Sequence, residues 1–153
     1  MRWINGLILL FVVAACSGPV SDPEQQVRDL IAHAKHAAEQ RQTDELKELV
    51  AEQYRDRRGW GPLQIAALIH TVLMQHRHIN LFTVIQNVDV LEPSQVRTEV
   101  LVAMAGRRIS SAEELSGLRA KLWHFEIWFK LDDGEWRVVR ADWRPAGVNE
   151  FLL

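Results

Sequence analysis

The chain has 153 residues, 25% of them charged, and a formal charge of −2 at neutral pH. That length suits one domain with its own core rather than two, and basic side chains scattered along it exclude the electrostatic footprint of a nucleic-acid binder. The lone cysteine, Cys16, excludes an intrachain disulfide and a cysteine-based zinc cage within one chain.

Residues 1–15 open with Arg2, run through apolar Leu7 to Val13 and end in the small pair Ala14 and Ala15. This is the layout of a secretory signal peptide, and it falls short of the roughly 20 apolar residues needed to span a bilayer. Val13-Ala14-Ala15-Cys16 resembles the lipobox of bacterial lipoproteins, with valine where that family usually has leucine. The resemblance implies that Cys16 is acylated and becomes the first residue of the mature chain. It also implies a destination. Ser17 stands where an aspartate resembles an inner-membrane retention signal, so the expectation is an outer-membrane lipid anchor with the protein facing the periplasm. An ordinary signal peptide with an incidental cysteine is the alternative.

Residues 16–22 read as the lipidated tether. Asp22, Pro23 and Gln25 then give a helix start, with a capping carboxylate and a proline at the first helical position. Val27, Leu30, Ile31, Ala34 and Ala38 recur at helical spacing behind it. Thr43 and Asp44 begin a second, shorter helix through Leu46, Leu49, Val50 and Tyr54, broken by Arg55 to Arg58 and the cluster Gly59-Trp60-Gly61-Pro62. A third helix is predicted from Pro62 to about Gln75. The period then changes to two. Strands are predicted at Ile79–Val84, Val88–Leu91 and Val96 to about Ala105, followed by a mobile polar connection over 106–119 in which Ser111 and Glu114 are spaced as a capping box.

Leu122 to Trp143 dominates the sequence as a hairpin around Asp132, Asp133 and Gly134. Trp123, Phe125, Ile127, Phe129 and Leu131 share one face, because strand side chains alternate. His124, Glu126, Trp128 and Lys130 share the other. A two-residue Asp133-Gly134 turn sets Leu131 against Trp136 and Phe129 against Val138, and carries Arg140 and Asp142 onto the apolar face. A three-residue loop would place Val139, Ala141 and Trp143 there instead. The first register is slightly favoured.

Helices followed by strands that need no crossovers indicate an α+β domain with an antiparallel sheet. Three helices, the glycine-containing break, a long sheet and the Asp-Gly-x-Trp hairpin followed by Arg140-Ala141-Asp142-Trp143 resemble the nuclear-transport-factor-like superfamily over residues 23–146. That family includes ketosteroid isomerase-like, polyketide cyclase-like and scytalone dehydratase-like proteins. The resemblance implies a cone in which helices cover the concave side of a curved sheet, with residues 147–153 as a C-terminal tail. It does not imply one function, since this cone hosts enzymes, ligand carriers and dimerisation modules.

Arg140, Asp142, Tyr54 and Trp60 are the candidate ligand-binding residues. Charges inside a partly apolar cone must meet each other or a polar ligand, so Arg140 and Asp142 read either as a ligand-orienting pair or as a structural ion pair. Asp56 and Asp142 are the weak catalytic candidates, and Asp56 among Arg55, Arg57 and Arg58 reads rather as a solvated helix end. The spacings of His70, His76 and His78, and of His33 and His36, give no set of three or four convergent ligands, so no metal and no cofactor is expected. Trp128, Val139 and Trp143 suggest a homodimer through the outer sheet face, unless the stretch from Val148 to Leu153 covers them. The functional expectation is a non-enzymatic domain that binds an apolar small ligand or a periplasmic protein. An isomerase, dehydratase or cyclase, and a scaffold with a filled cone, are the alternatives.

Overall fold

The structure is a computed structural model that describes residues 22–153; Cys16 and the signal segment lie outside the described residues. Asp22 accepts a hydrogen bond from the Glu24 backbone N–H at 3.3 Å and starts α1 (Pro23–Glu39). Its buried stripe is Val27, Ile31 and Ala37. Helix α2 is a short segment, Thr43–Glu48. Helix α3 (Pro62–Gln75) begins where the Gln64 side chain accepts from the Gly61 N–H at 2.9 Å. Among the described residues, no helix is long and apolar enough to cross a membrane.

Four strands follow: β1 (Asn80–Glu92), β2 (Gln95–Ala105), β3 (Lys121–Asp132) and β4 (Glu135–Pro145). They form an antiparallel meander in the order β1-β2-β3-β4. The two separate strands expected over Ile79–Leu91 are one. A register shift between Ile85 and Asn87 bends β1 without ending it, which is how a bulge curves a sheet.

The sheet is packed on both faces. On the concave side Val96, Val100, Phe129 and Trp136 meet Val27 and Ile31 of α1, and the Trp136 indole N–H donates to Gln26. At one end of the convex side, Leu101, Ala103 and Ala105 lie under Ile109, Leu115 and Phe151. The connection over 106–119, expected to be mobile, is therefore a packed element. It holds a 3₁₀ turn (Ala112–Gly117), and the Ser110 N–H rather than Ser111 donates to Glu114 at 3.3 Å. Its polar composition conceals two apolar anchors. The segment expected as a tail also joins this core through a second 3₁₀ turn (Val148–Phe151), with Phe151 buried.

The hairpin follows neither expected register throughout. Asp133 and Gly134, at φ of 49° and 79°, form a two-residue turn, with Leu131 facing Trp136 and Phe129 facing Val138. The register then shifts between Trp128 and Phe129, where Val139 is the extra residue of β4. Beyond it Trp128 faces Arg140, Ile127 faces Ala141 and Phe125 faces Trp143. One inserted residue exchanges the two faces of the strand. Ala141 and Trp143 turn to the concave side, while Arg140 and Asp142 turn to the convex side.

Candidate functional site

The concave face and the three helices enclose an apolar cavity of two adjoining lobes. The inner lobe, about 320 Å³, runs from Leu30 and Ala34 on α1 across to Phe129 and Val138. The outer lobe, about 540 Å³, lies between α3 and the far ends of β2, β3 and β4. Leu46, Ile65, Ile69, Leu81 and Phe125 belong to the walls of both.

The segment after α2 shapes the mouth of the outer lobe. Val50 bridges to Val138, and the Ala51 and Arg55 N–H groups donate to the Val138 and Val139 carbonyls at 3.0 and 3.1 Å, so this stretch continues the sheet along β4. Next, Asp56 folds the loop around itself. One carboxylate oxygen, Oδ1, accepts from the Arg58 and Trp60 N–H groups, each at 2.9 Å, and the other lies 3.6 Å from the Arg58 guanidinium. Gly59, at φ 80°, makes the turn that this arrangement requires. Asp56 is 6% exposed, and its contacts make it the organiser of this loop rather than a solvated helix end or a free base in the cavity.

The loop sets Trp60 edge-on to Trp143, with ring centroids 6.5 Å apart, and Trp143 lies 5.9 Å from Phe125. Arg58 stacks over Trp143 at 3.9 Å and donates to its carbonyl at 3.3 Å. Tyr54, 1% exposed, lines the inner lobe and donates its hydroxyl to the Ala141 carbonyl at 3.1 Å. Burial, reinforced by the nearby Asp56 charge, pushes the Tyr54 pKa up to about 12. At neutral pH it is a neutral wall residue with its proton engaged.

The structure thus places Tyr54 and Trp60 in the walls of the cavity, and separates Arg140 and Asp142 from it. The β4 bulge is the physical reason. Arg140 lies over Trp128 at 4.4 Å and pairs with Asp142 at 2.7 Å on the convex face. Asp142 also accepts from the Arg57 N–H at 3.0 Å. Burial opposes its charge, but the Arg57 N–H and the Arg140 and Arg57 guanidinium groups hold its carboxyl below the ordinary value. Trp143 is likewise displaced from the proposed outer interface: its ring lines the cavity. Val139 occupies the bulge. Of the three interface candidates, Trp128 alone presents its ring to the convex side, beneath a guanidinium.

The convex face is a network of charge. Arg97 reaches Asp89 at 2.8 Å, Glu126 at 3.2 Å and Glu99 at 3.5 Å. His124 lies 3.4 Å from both Glu99 and Glu150, and Arg144 pairs with Glu150 at 2.8 Å. Elsewhere His76, at the rim of the outer lobe, donates Nδ1–H to the Val72 carbonyl at 2.8 Å. Among the described residues, no three His, Cys, Asp or Glu side chains converge as metal ligands would.

Sequence reasoning did not assign Arg58, Trp123 or Ile69 to the cavity. For Ile69 the helical stripe of α3 carried the signal; for Arg58 nothing in the pattern distinguished it from Arg55 and Arg57.

No family model and no curated protein matches this sequence. Solved structures do match in fold. A dehydratase-like protein of the NTF2-like family from Streptomyces avermitilis aligns at 12% identity and a TM-score of 0.63, over 81% of this chain and 96% of that one. Hexachlorocyclohexane dehydrochlorinase LinA-type3 from Novosphingobium barchaimii aligns at 14% identity and 0.60, over 80% and 86%. Bd1075 from Bdellovibrio bacteriovorus aligns at 10% identity and 0.61 over 80% of this chain, which spans only 40% of that longer protein. The chain has the nuclear-transport-factor-like α+β fold. At these identities the likeness speaks for the fold alone.

Proposed function

We propose that this domain binds an apolar small molecule in its cone without transforming it, and that acylated Cys16 holds it at the outer membrane, facing the periplasm. The observation that carries the binding reading is the two-lobed cavity, whose inner lobe has an apolar wall in which the Tyr54 hydroxyl is already engaged. Apolar clefts of a few hundred Å³ with few polar groups are the usual form of small-molecule sites. A cavity of this size also weighs against the filled-cone scaffold.

The alternative of an isomerase, dehydratase or cyclase draws support from neighbours named for dehydratase and dehydrochlorinase chemistry. Such chemistry needs a base within hydrogen-bond reach of the substrate. Asp56 is bound to its own loop and Asp142 faces the other side of the sheet, which leaves His76 at the rim, its Nδ1–H given to Val72, with neither carboxylate candidate beside it. Binding is the reading this arrangement favours. Self-association through Trp128 has less support, because the convex face carries charge where a dimer interface concentrates apolar area.

Native mass spectrometry of the full chain, before and after denaturation, tests the proposal. A co-purifying small molecule lost on denaturation, and absent from an Ile69→Trp variant that fills both lobes, is the expected result. A bare protein that also fails to take up apolar probes would overturn it. For the anchor, Cys16→Ser is expected to move the protein from the membrane fraction to the soluble one.

A further inference from the structure

Beside the two apolar lobes lies a third recess of opposite character. About 460 Å³ in volume, it opens between the end of α1, the start of β1 and residues 108–110. Its wall includes Lys35, Glu39, Asn80, Arg108 and Ser110. It adjoins the cavity. Leu81 belongs to the walls of all three spaces, and Lys35 lines both the recess and the inner apolar lobe.

Among the described residues, Lys35 is also the one formally charged side chain lining that inner lobe. A lysine there can lay its methylene stem along apolar surface and direct its ammonium to the polar side. What the ammonium meets is informative. Arg107, next to Arg108, pairs with Glu114 at 3.7 Å, whereas among the described residues no carboxylate lies within 4.0 Å of the Lys35 or Arg108 cations. Glu39 does line the recess, one turn along α1 from Lys35, but one of its oxygens accepts from the Leu81 N–H at 2.8 Å. The recess therefore has two cations without ion-pair partners against one carboxylate held by backbone. Asn80 and Ser110 add polar groups around them.

Resting on the binding reading above, we infer that the ligand is a single-chain amphiphile, its hydrocarbon tail in the apolar lobes and its anionic head, a carboxylate or phosphate monoester, between Lys35 and Arg108. The tail gains from leaving water in proportion to the apolar area it buries. The head exchanges water for charge-assisted hydrogen bonds from an ammonium and a guanidinium. A neutral ligand would satisfy the lobes and leave both cations unused.

Three probes with one tail separate these terms: dodecanoate, dodecyl phosphate and dodecan-1-ol. Each is titrated into the full chain below its self-association limit and followed through the fluorescence of Trp60, Trp123 and Trp143, which line the outer lobe. At least one anion is expected to bind about tenfold more tightly than the alcohol, a difference of about 1.4 kcal/mol. Which anion shows the larger ratio tells a carboxylate ligand from a phosphate one. Lys35→Met keeps the apolar stem and, combined with Arg108→Met, is expected to bring the anions down to the affinity of the alcohol for the same variant. Equal binding of all three probes to the unaltered chain would overturn the inference and leave the apolar pocket standing. An anion preference that survives the double substitution and disappears in Arg58→Met would also overturn it, placing the head at the other opening. Failure of all three probes would remove the binding reading on which the inference rests.

Discussion

The two faces of this one sheet are held by different physics. The concave face meets α1 through Val96, Val100, Phe129 and Trp136, and its energy comes from apolar area withdrawn from water. Most of the convex face away from Phe151 is a ladder of arginine, carboxylate and histidine, half-exposed and screened by solvent. Packing can leave a void and still fold, so the concave side can hold a cavity. The difference teaches where an apolar ligand can enter: the face stabilised by non-directional contacts holds the apolar lobes, whereas the convex face offers a recess of about 290 Å³ walled by Arg57, Glu99, His124, Glu126 and Asp142.

Phe129→Ala should break this comparison most visibly. Phe129 is 3% exposed and belongs to both the core and the inner lobe wall. Its loss is expected to cost about 3 kcal/mol, the lower end for a buried aromatic because the adjoining void already exists. The check is urea unfolding, with an effect that stays constant between low and high salt. Asp56→Ala comes next, at about 2 kcal/mol, since it strands two loop N–H groups and the Arg58 guanidinium. The same variant should loosen Trp60 against Trp143 and shift the tryptophan emission. Tyr54→Phe is expected to lose about 1 kcal/mol, one hydrogen bond's net worth. Because the folded pKa is raised from 10.0 to about 12, the Tyr54 contribution is present in full below pH 10 and is lost as pH rises toward 12. In Tyr54→Phe that alkaline decline should be shallower.

The convex face responds to acid instead. Glu150 is held at a pKa of about 2, against 4.5, first by Arg144, then by the Gly147 N–H and by His124. A carboxylate with a depressed folded pKa stabilises above its unfolded value and ceases to do so as pH falls through the folded one. The stability difference between the unaltered chain and Glu150→Gln should therefore be level above pH 4.5 and shrink toward pH 2, measured by urea midpoints across that range. A difference that did not change with pH would show that Glu150 acts by packing the last turn rather than by charge.

The order of elements was legible because periodicity reports it. Helices α1 and α3 and the Asp133-Gly134 turn follow from caps, Pro23, Pro62 and a left-handed dipeptide, which are local signals. The site was legible only in part. Tyr54 and Trp60 reach the cavity, but the face that Arg140, Asp142 and Trp143 present depends on one bulge at Val139. A bulge leaves little mark in an alternating strand when its even and odd positions both carry a tryptophan, as Trp136 and Trp143 do in β4. The anchors Ile109 and Leu115 were hidden similarly: two apolar side chains in a polar stretch carry no period, and only the exposed sheet end beneath them makes them core.

Trp128 and Arg140 give the smallest and most discriminating test of that bulge. They are cross-strand partners on the convex side, with the guanidinium 4.4 Å above the ring. Each alone also touches other groups, Arg140 most of all through Asp142 at 2.7 Å. Single substitutions would therefore mix several losses, and a double-mutant cycle of Trp128→Ala with Arg140→Ala isolates the pair. A half-exposed cation–π contact predicts a coupling of about 0.5–1 kcal/mol, above what an exposed pair of unrelated side chains shows. In the unbulged register Arg140 would face Ile127 on the concave side, out of reach of Trp128. A coupling of zero would then return Arg140 to the cone, where it would join Lys35 on the wall of the inner lobe.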